Sequence, residues 1–222
     1  MEDILLEAAK RELEERTAAA ARAANTSDEA DRNGVAANAP MRTPSASYTG
    51  PARIRSINVS PRKGTRKAPI PSGTARVIEQ FGLESDAHAG HWHRQVSLLA
   101  AESIRTAQAR GLDVTNGDFG ENITTAGLDL HALPLGTQLR LGPDVLIEIS
   151  QIGKVCHTRC AIYYLAGDCI FPHEGVFGVV LHGGTIHVGD PIEIVRLGNG
   201  SCSFTPPEAL AEVEQAKQEG KL

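Results

Sequence analysis

The chain has 222 residues and 41% hydrophobic content, enough to bury one core but too short for two full-sized enzyme domains. Its 22 Lys and Arg against 27 Asp and Glu give a net charge of −5, which argues against a nucleic-acid partner because a phosphate backbone requires a basic surface. No stretch approaches the ~20 apolar residues of a membrane span, and the N-terminus lacks the basic and apolar regions of a signal peptide. We therefore expect a cytoplasmic protein without a membrane partner.

The first fifty residues differ in composition from the rest of the chain. Residues 1–24 are rich in Ala, Glu and Arg, which are strong helix formers, and predict an N-terminal helical extension. Residues 25–52 contain almost no large apolar side chain, so burial cannot offset their ordering entropy and a disordered linker is predicted. The main domain is predicted at 53–196, and residues 197–222 form a C-terminal tail.

Strand signals dominate the main domain. The predicted strands include residues 54–59, 138–141, 145–152, 176–181, 185–188 and 192–195. The strands on either side of Gly183-Gly184 are expected to pair as a hairpin, and a helix is predicted at 102–109. Many short strands at close spacing favour a mostly β (α+β) barrel with a few peripheral helices.

The tail carries a helix of its own. Its start, Thr205-Pro206-Pro207-Glu208, has the form of a capping box with proline at the first helical position. Leu210 and Val213 give this helix a short apolar face. We expect it to pack on the outside of the barrel.

Cys156 is the first candidate for chemistry, because it follows the strand predicted at 145–152 and so lies in a loop at a sheet end. Its sequence neighbours Lys154, His157 and Arg159 carry or can carry positive charge, which favours the reactive thiolate form. The alternative is a buried cysteine that only packs, which is common for this residue type.

The same segment also allows a metal site or a redox switch. Cys156 and Cys160 would share a face of a helix, and Cys169 with His173 would complete a tetrahedral metal site. The spacing matches no standard zinc or iron–sulfur pattern. A redox-sensing disulfide between Cys156 and Cys160 is a further alternative.

Two polar segments upstream are candidates for the walls of a site. Residues 85–95 contain His88, His91 and His93, which can serve as acids, bases or metal ligands near neutral pH. Glu121 and Asn122 place a carboxylate and an amide between a glycine and a predicted strand. The alternative is a set of polar loops whose side chains only bond nearby backbone groups.

Seven short blocks, taken in order, resemble the MOSC domain, which is named after the C-terminal domain of molybdenum cofactor sulfurase. The blocks are residues 56–60, 64–67, 86–90, 94–99, 119–124, 135–137 and the segment around Cys156. The resemblance covers about 53–195 and is to the small stand-alone bacterial members. It implies a barrel-like β domain, an association with molybdenum cofactor, and a cysteine that carries or receives sulfur as a persulfide. That cysteine matches Cys156.

The resemblance and the residues together give three hypotheses. In the first, Cys156 transfers sulfur or cleaves or forms a carbon–sulfur bond, with His88, Glu121 and His157 as further catalytic residues. In the second, the domain is a non-catalytic carrier of molybdenum cofactor. The residues expected to bind that cofactor are Lys63, Arg66, Lys67, Asp86, Arg94, Asn122, Lys154 and Arg159.

The third hypothesis is a zinc-dependent lyase or hydrolase that uses His88, His91, His93 and Glu121. The partners expected across these hypotheses are a small sulfur-containing molecule or molybdenum cofactor, and a sulfur donor or cofactor-receiving enzyme. The sequence shows no pyridoxal phosphate site that would load the sulfur.

Overall fold

A computed structural model of the protein describes residues 50–156, 161–166 and 169–222. The helical extension predicted at 1–24 and the linker predicted at 25–52, up to residue 49, lie outside the described residues. So do three of the predicted site residues, His157, Arg159 and Cys160.

Short strands make up most of the described chain, which confirms the mostly β prediction. The strands are β1 (Arg53–Val59), β2 (Ala68–Pro69), β3 (Thr74–Ile78), β4 (Gly82–Leu83), β5 (Val96–Ala100), β6 (Ile123–Ala126), β7 (Gln138–Leu141), β8 (Val145–Ile152), β9 (Val176–His182), β10 (Gly184–His187) and β11 (Ile192–Arg196). The helices are α1 (Ala101–Ala109), α2 (Ala161–Ala166), α3 (Phe171–Glu174) and α4 (Pro207–Gln218), with a 3-10 turn at Leu130–Ala132. None of the helices in the described part of the chain has the length and apolarity that a bilayer crossing requires.

Eight strands form one large sheet in the order β11-β7-β8-β9-β5-β6-β1-β2. All neighbours in it are antiparallel except β5 and β6, which α1 connects as a parallel pair. The predicted hairpin of β9 and β10 is wrong, because β10 pairs with β3 in a separate sheet of order β10-β3-β4. Gly183 explains the departure: a Cβ there would lie 2.8 Å from the carbonyl oxygen of Val77, so the glycine lets the chain pass directly onto β3.

The predicted closure of the sheet into a barrel is also wrong. The large sheet is open, with β11 and β2 at its edges. The ends of β1 and β11 approach each other, but they share only the isolated bridge between Arg53 and Pro191. Two backbone hydrogen bonds flank the bridge: Ile54 donates to the Asp190 carbonyl oxygen and Ile192 to that of Ala52, each at 2.9 Å.

Two apolar clusters cover opposite faces of the central strands. The larger cluster takes Ile147 and Ile149 from β8 and Leu98 from β5. The smaller one takes Leu99 from β5 and Phe177 from β9, whose side chains point the other way because alternate residues of a strand face opposite sides. The candidate site is built on this second face.

Candidate functional site

A row of three paired residues crosses the second face of the sheet. Phe177 of β9 lies opposite Ser97 of β5 on one side and Gln151 of β8 on the other. Directly paired residues of neighbouring strands share a face, so these three side chains stand side by side. Phe177 also packs edge-on against Phe171 of α3, with ring centroids 5.5 Å apart. The row gives the site an aromatic floor with polar groups at both ends.

Cys156 lies just beyond β8, on a loop held firmly by backbone hydrogen bonds. Gly153 donates to the carbonyl oxygen of Gly175 at 2.8 Å, and Lys154 donates to that of Pro172 at 2.9 Å. Gly153 has a φ of +75°, and a Cβ there would lie 2.9 Å from the Pro172 carbonyl oxygen, so only glycine fits this turn. The loop ends in the free thiol of Cys156, which is exposed to solvent.

Two cations lie over aromatic rings of the same region. The guanidinium carbon of Arg94 is 4.7 Å from the ring centroid of Trp92 and 5.5 Å from that of Phe177. Lys154 Nζ is 5.4 Å from the ring centroid of Phe171. Such cation–π contacts orient a charge without neutralising it. The contacts thus hold both positive charges over the aromatic rings of this region.

Arg94 is electrostatically linked to the thiol. Burial lowers the pKa of Arg94, and the negative charges of Glu212 and of the Cys156 thiolate oppose that effect. Its Nε is buried and finds no hydrogen-bond partner among the described residues. Arg94 thus offers an unused donor close to the cysteine.

Lys67 and Asp86 form a buried ion pair. Lys67 Nζ is 2.8 Å from Asp86 Oδ1, and each of these side chains is only 1% exposed. Asp86 also accepts hydrogen bonds from the backbone amides of Ser60 and His88 at 3.1 and 3.0 Å. Burial alone would raise the pKa of Asp86, but His88, Lys67 and the Ser60 amide outweigh it and hold that pKa below its usual range. Burial lowers the pKa of Lys67, and its contact with Asp86 opposes this.

Glu121 is a second buried carboxylate near this pair. Its Oε1 accepts hydrogen bonds from the Gly117 amide at 2.5 Å and from Thr124 Oγ1 at 2.9 Å. Its Oε2 is buried with no hydrogen-bond partner in the described part of the chain. Burial raises the pKa of Glu121 to about 7, although the Gly117 and Thr124 hydrogen bonds and the charge of Lys67 oppose it. Glu121 can therefore hold or release a proton near neutral pH.

The three upstream histidines have different partners. His91 Nδ1 lies 3.0 Å from the Gln80 carbonyl oxygen, and His93 Nε2 lies 2.8 Å from Gln151 Oε1. His88 Nδ1 is 3.7 Å from Asp86 Oδ1, and 33% of its side chain is exposed. No three His, Cys, Asp or Glu side chains of the described ranges lie close enough together to hold a metal ion. The zinc centre predicted from His88, His91, His93 and Glu121 is therefore not formed.

The remaining predicted binding residues divide between surface and scaffold. Lys63 is exposed, and Arg66 pairs with Asp118 at 3.4 Å. Asn122 is buried and accepts hydrogen bonds through Oδ1 from the amide and the hydroxyl of Ser97 at 3.2 and 2.9 Å. Asn122 thus ties β6 to β5 and supports the floor of the site.

The C-terminal helix contributes a part of the site that the sequence analysis missed. The predicted capping box is wrong, since the N-cap residue of α4 is Pro206 and makes no side-chain hydrogen bond. The Thr205 hydroxyl donates instead to the carbonyl oxygen of Ser150 at 2.6 Å, and the Ser150 hydroxyl donates to that of His93. The spacing of Glu208 and Glu212, one helical turn apart, was the available signal for an acidic face.

Comparison with known proteins gives the same family as the residue blocks. The model of the MOSC domain matches residues 85–193. YiiM from Geobacillus stearothermophilus is 26% identical, with a TM-score of 0.53 over 69% of this chain and 80% of that one. The YUAD protein from Bacillus subtilis is 16% identical, with a TM-score of 0.55 over 64% and 94% of the two chains. YiiM from Escherichia coli is 17% identical, with a TM-score of 0.51 over 77% and 92%. Among curated protein sequences, none matches the chain.

The matched region contains β5 to β10, the thiol loop, Arg94 and both buried carboxylates. The structural likeness to YiiM from Geobacillus stearothermophilus covers a larger share of the chain than these matched residues. Residues 85–193 therefore form a MOSC domain, of the family related to the C-terminal domain of molybdenum cofactor sulfurase.

Proposed function

We propose that this MOSC-domain protein accepts sulfur on Cys156 and passes it to an acceptor. The observation that carries the proposal is the exposed thiol of Cys156 on a loop fixed by backbone hydrogen bonds, electrostatically linked to Arg94. The thiolate is the nucleophilic form of cysteine. Solvent exposure lets a small sulfur compound reach it.

The first step is a transfer of one sulfur atom without net oxidation. The Cys156 thiolate attacks the outer sulfur of a hydropersulfide, R–S–SH, and forms a new S–S bond while the S–S bond of the donor breaks. The electron pair of the broken bond leaves with the thiolate R–S⁻, which takes up a proton as R–SH. The protein then carries a Cys156 persulfide, and attack by an acceptor on its outer sulfur reverses the same chemistry.

Proton movement is the role we assign to His88 in this reaction. Its side chain is partly exposed, so it can exchange protons with solvent or a ligand, and its backbone amide is fixed by Asp86. Glu121 is buried, so we assign it the holding of a proton beneath the site rather than contact with the sulfur compound. His157 was predicted for the same task and lies outside the described residues.

A second candidate function is the carrier of molybdenum cofactor, and one observation favours it. Arg94 Nε is buried without a hydrogen-bond partner among the described residues, and Lys154 supplies a second positive charge. A ligand that bears a phosphate group would require such cationic donors. A thiolate is also a soft donor suited to such a metal. Arg94, Lys154 and Cys156 would hold the cofactor, whose molybdenum would supply redox chemistry when bound. In this role Cys156 needs no persulfide.

Intact-mass measurement after exposure to a small hydropersulfide tests the first function. We expect the wild type to gain the mass of one sulfur atom that a reductant removes, and Cys156→Ser to gain none. Cys169→Ser is the matched control, because that cysteine is less exposed, and it should behave as the wild type. If Cys156→Ser gains sulfur as readily as the wild type, Cys156 is not the acceptor. If neither gains sulfur, sulfur transfer is refuted and the carrier function gains support.

A further inference from the structure

Helix α4 is docked against the strand that leads to Cys156. Thr205, two residues before the helix, bonds to the carbonyl oxygen of Ser150 in β8. Val213 of α4 is 5% exposed, and its Cγ1 is 4.0 Å from where a Cβ on Gly153 would lie. Gly153 begins the loop that carries Cys156. The helix therefore contacts the start of the loop that carries Cys156, and the residue before it is anchored to β8.

The polar face of α4 carries two carboxylates toward the site. Glu208 and Glu212 are four residues apart, so they share one face of the helix, and both are exposed. Burial lowers the pKa of His93, and the charge of Glu208 opposes that effect. The charge of Glu212 acts in the same way on Arg94, which also senses Cys156. Arg94 therefore interacts electrostatically with both Glu212 of α4 and the Cys156 thiolate.

We propose that Glu212 determines which charge of sulfur compound the Cys156 site accepts. Its carboxylate offsets the positive charge of Arg94, so the site favours neutral or singly charged donors and disfavours dianions. The inference builds on the proposed sulfur transfer by naming its substrate class. It also weighs against the carrier function, since a phosphate dianion would meet the same opposing charge.

Charge-selective alkylation of Cys156 tests this without any sulfur donor. The rates for anionic iodoacetate and neutral iodoacetamide are measured on the Cys156 peptide by mass spectrometry, at low ionic strength. The ratio of the two rates reports the local potential, because both reagents require the same thiolate. We expect Glu212→Gln to raise the iodoacetate to iodoacetamide ratio by about two- to fivefold, as for one unit charge several ångströms away at partial exposure. Arg94→Gln should lower it.

Two further variants separate local charge from other causes. Glu214→Gln removes an exposed charge from the same helix and should leave the ratio unchanged, while Glu212→Asp keeps the charge and should behave as the wild type. The effect should shrink in about 0.5 M salt, where screening is strong. An unchanged ratio in Glu212→Gln, or an equal rise in Glu214→Gln, overturns the inference.

The outcome is distinguishable from a failure of the proposed function. If the wild type takes up no sulfur but Glu212→Gln shifts the ratio, sulfur transfer is refuted and Glu212 still controls the charge of the site. If sulfur is taken up but the ratio does not respond, the function stands and Glu212 has no part in selecting the donor.

Discussion

Two regions of the molecule present charge in opposite ways. Lys67, Asp86 and Glu121 are almost fully buried, so each charge there requires a compensating partner inside the protein. Cys156 is exposed, and Arg94 lies over aromatic rings with a donor unused by the described residues. The difference indicates that substitutions in the buried region change stability first, whereas substitutions at the thiol change reactivity first.

Breaking the buried ion pair should have the largest effect. Asp86→Asn leaves the Lys67 charge buried without an anionic partner, so we expect the free energy of unfolding to fall by about 3–5 kcal/mol in urea denaturation. Glu193→Gln is the control, because its partner Arg140 and Glu193 itself are largely exposed, and it should cost less than about 1 kcal/mol.

A second variant identifies the cause of the loss. Adding Lys67→Met to Asp86→Asn removes the stranded charge and should recover part of the stability. If Asp86→Asn costs no more than Glu193→Gln, the buried pair does not stabilise the fold.

Glu121 should give a smaller effect that depends on pH. Its pKa rises from 4.5 to about 7 on folding, so the carboxylate destabilises the fold increasingly as pH rises from about 4.5, and fully above about 7. Glu121→Gln keeps an oxygen acceptor but has no charge to bury. Relative to the wild type it should gain roughly 2–3 kcal/mol between about pH 5 and pH 8, measured by urea denaturation at both. An equal difference at the two pH values would show that Glu121 has no raised pKa.

The strands that can be predicted from the sequence are those with a strong local pattern. β7 and β8 flank a Gly-Pro turn and have buried apolar residues, so their existence and pairing follow from local chemistry. The pairing of β10 with β3 depends on residues more than a hundred positions apart, which no local pattern encodes. The same holds for the contact between the ends of β1 and β11, which is limited to the bridge of Arg53 and Pro191 and leaves the sheet open.

Some features of the site could likewise be predicted from local sequence, whereas others depend on residues far apart in the chain. The loop position of Cys156 could be predicted because it follows a strong strand, whereas its exposure could not, since a buried cysteine fitted the same pattern. Arg94 could be proposed for the site because its block resembles the family. The role of Thr205 could not be predicted. Its place in the sequence fits a helix-capping pattern, but in the fold its hydroxyl donates to the carbonyl oxygen of the distant Ser150. The Arg94 contact with Phe177 likewise required the register of β5 and β9.

The smallest expected effect concerns helix α4. The helix has an exposed polar face, whereas Thr205, which anchors it to β8, is buried. Thr205→Val removes the hydrogen bond to the Ser150 carbonyl oxygen and keeps the side-chain volume, so we expect a loss of about 1 kcal/mol in the free energy of unfolding. Thr205→Ser retains the hydroxyl and should lose less. Hydrogen exchange should quicken in α4 of the valine variant and stay unchanged in β5, which β9 separates from the anchoring strand β8. Exchange that quickens equally in both elements would mean that α4 is part of the common core, and the division into a rigid buried region and a separately adjustable thiol region would fail.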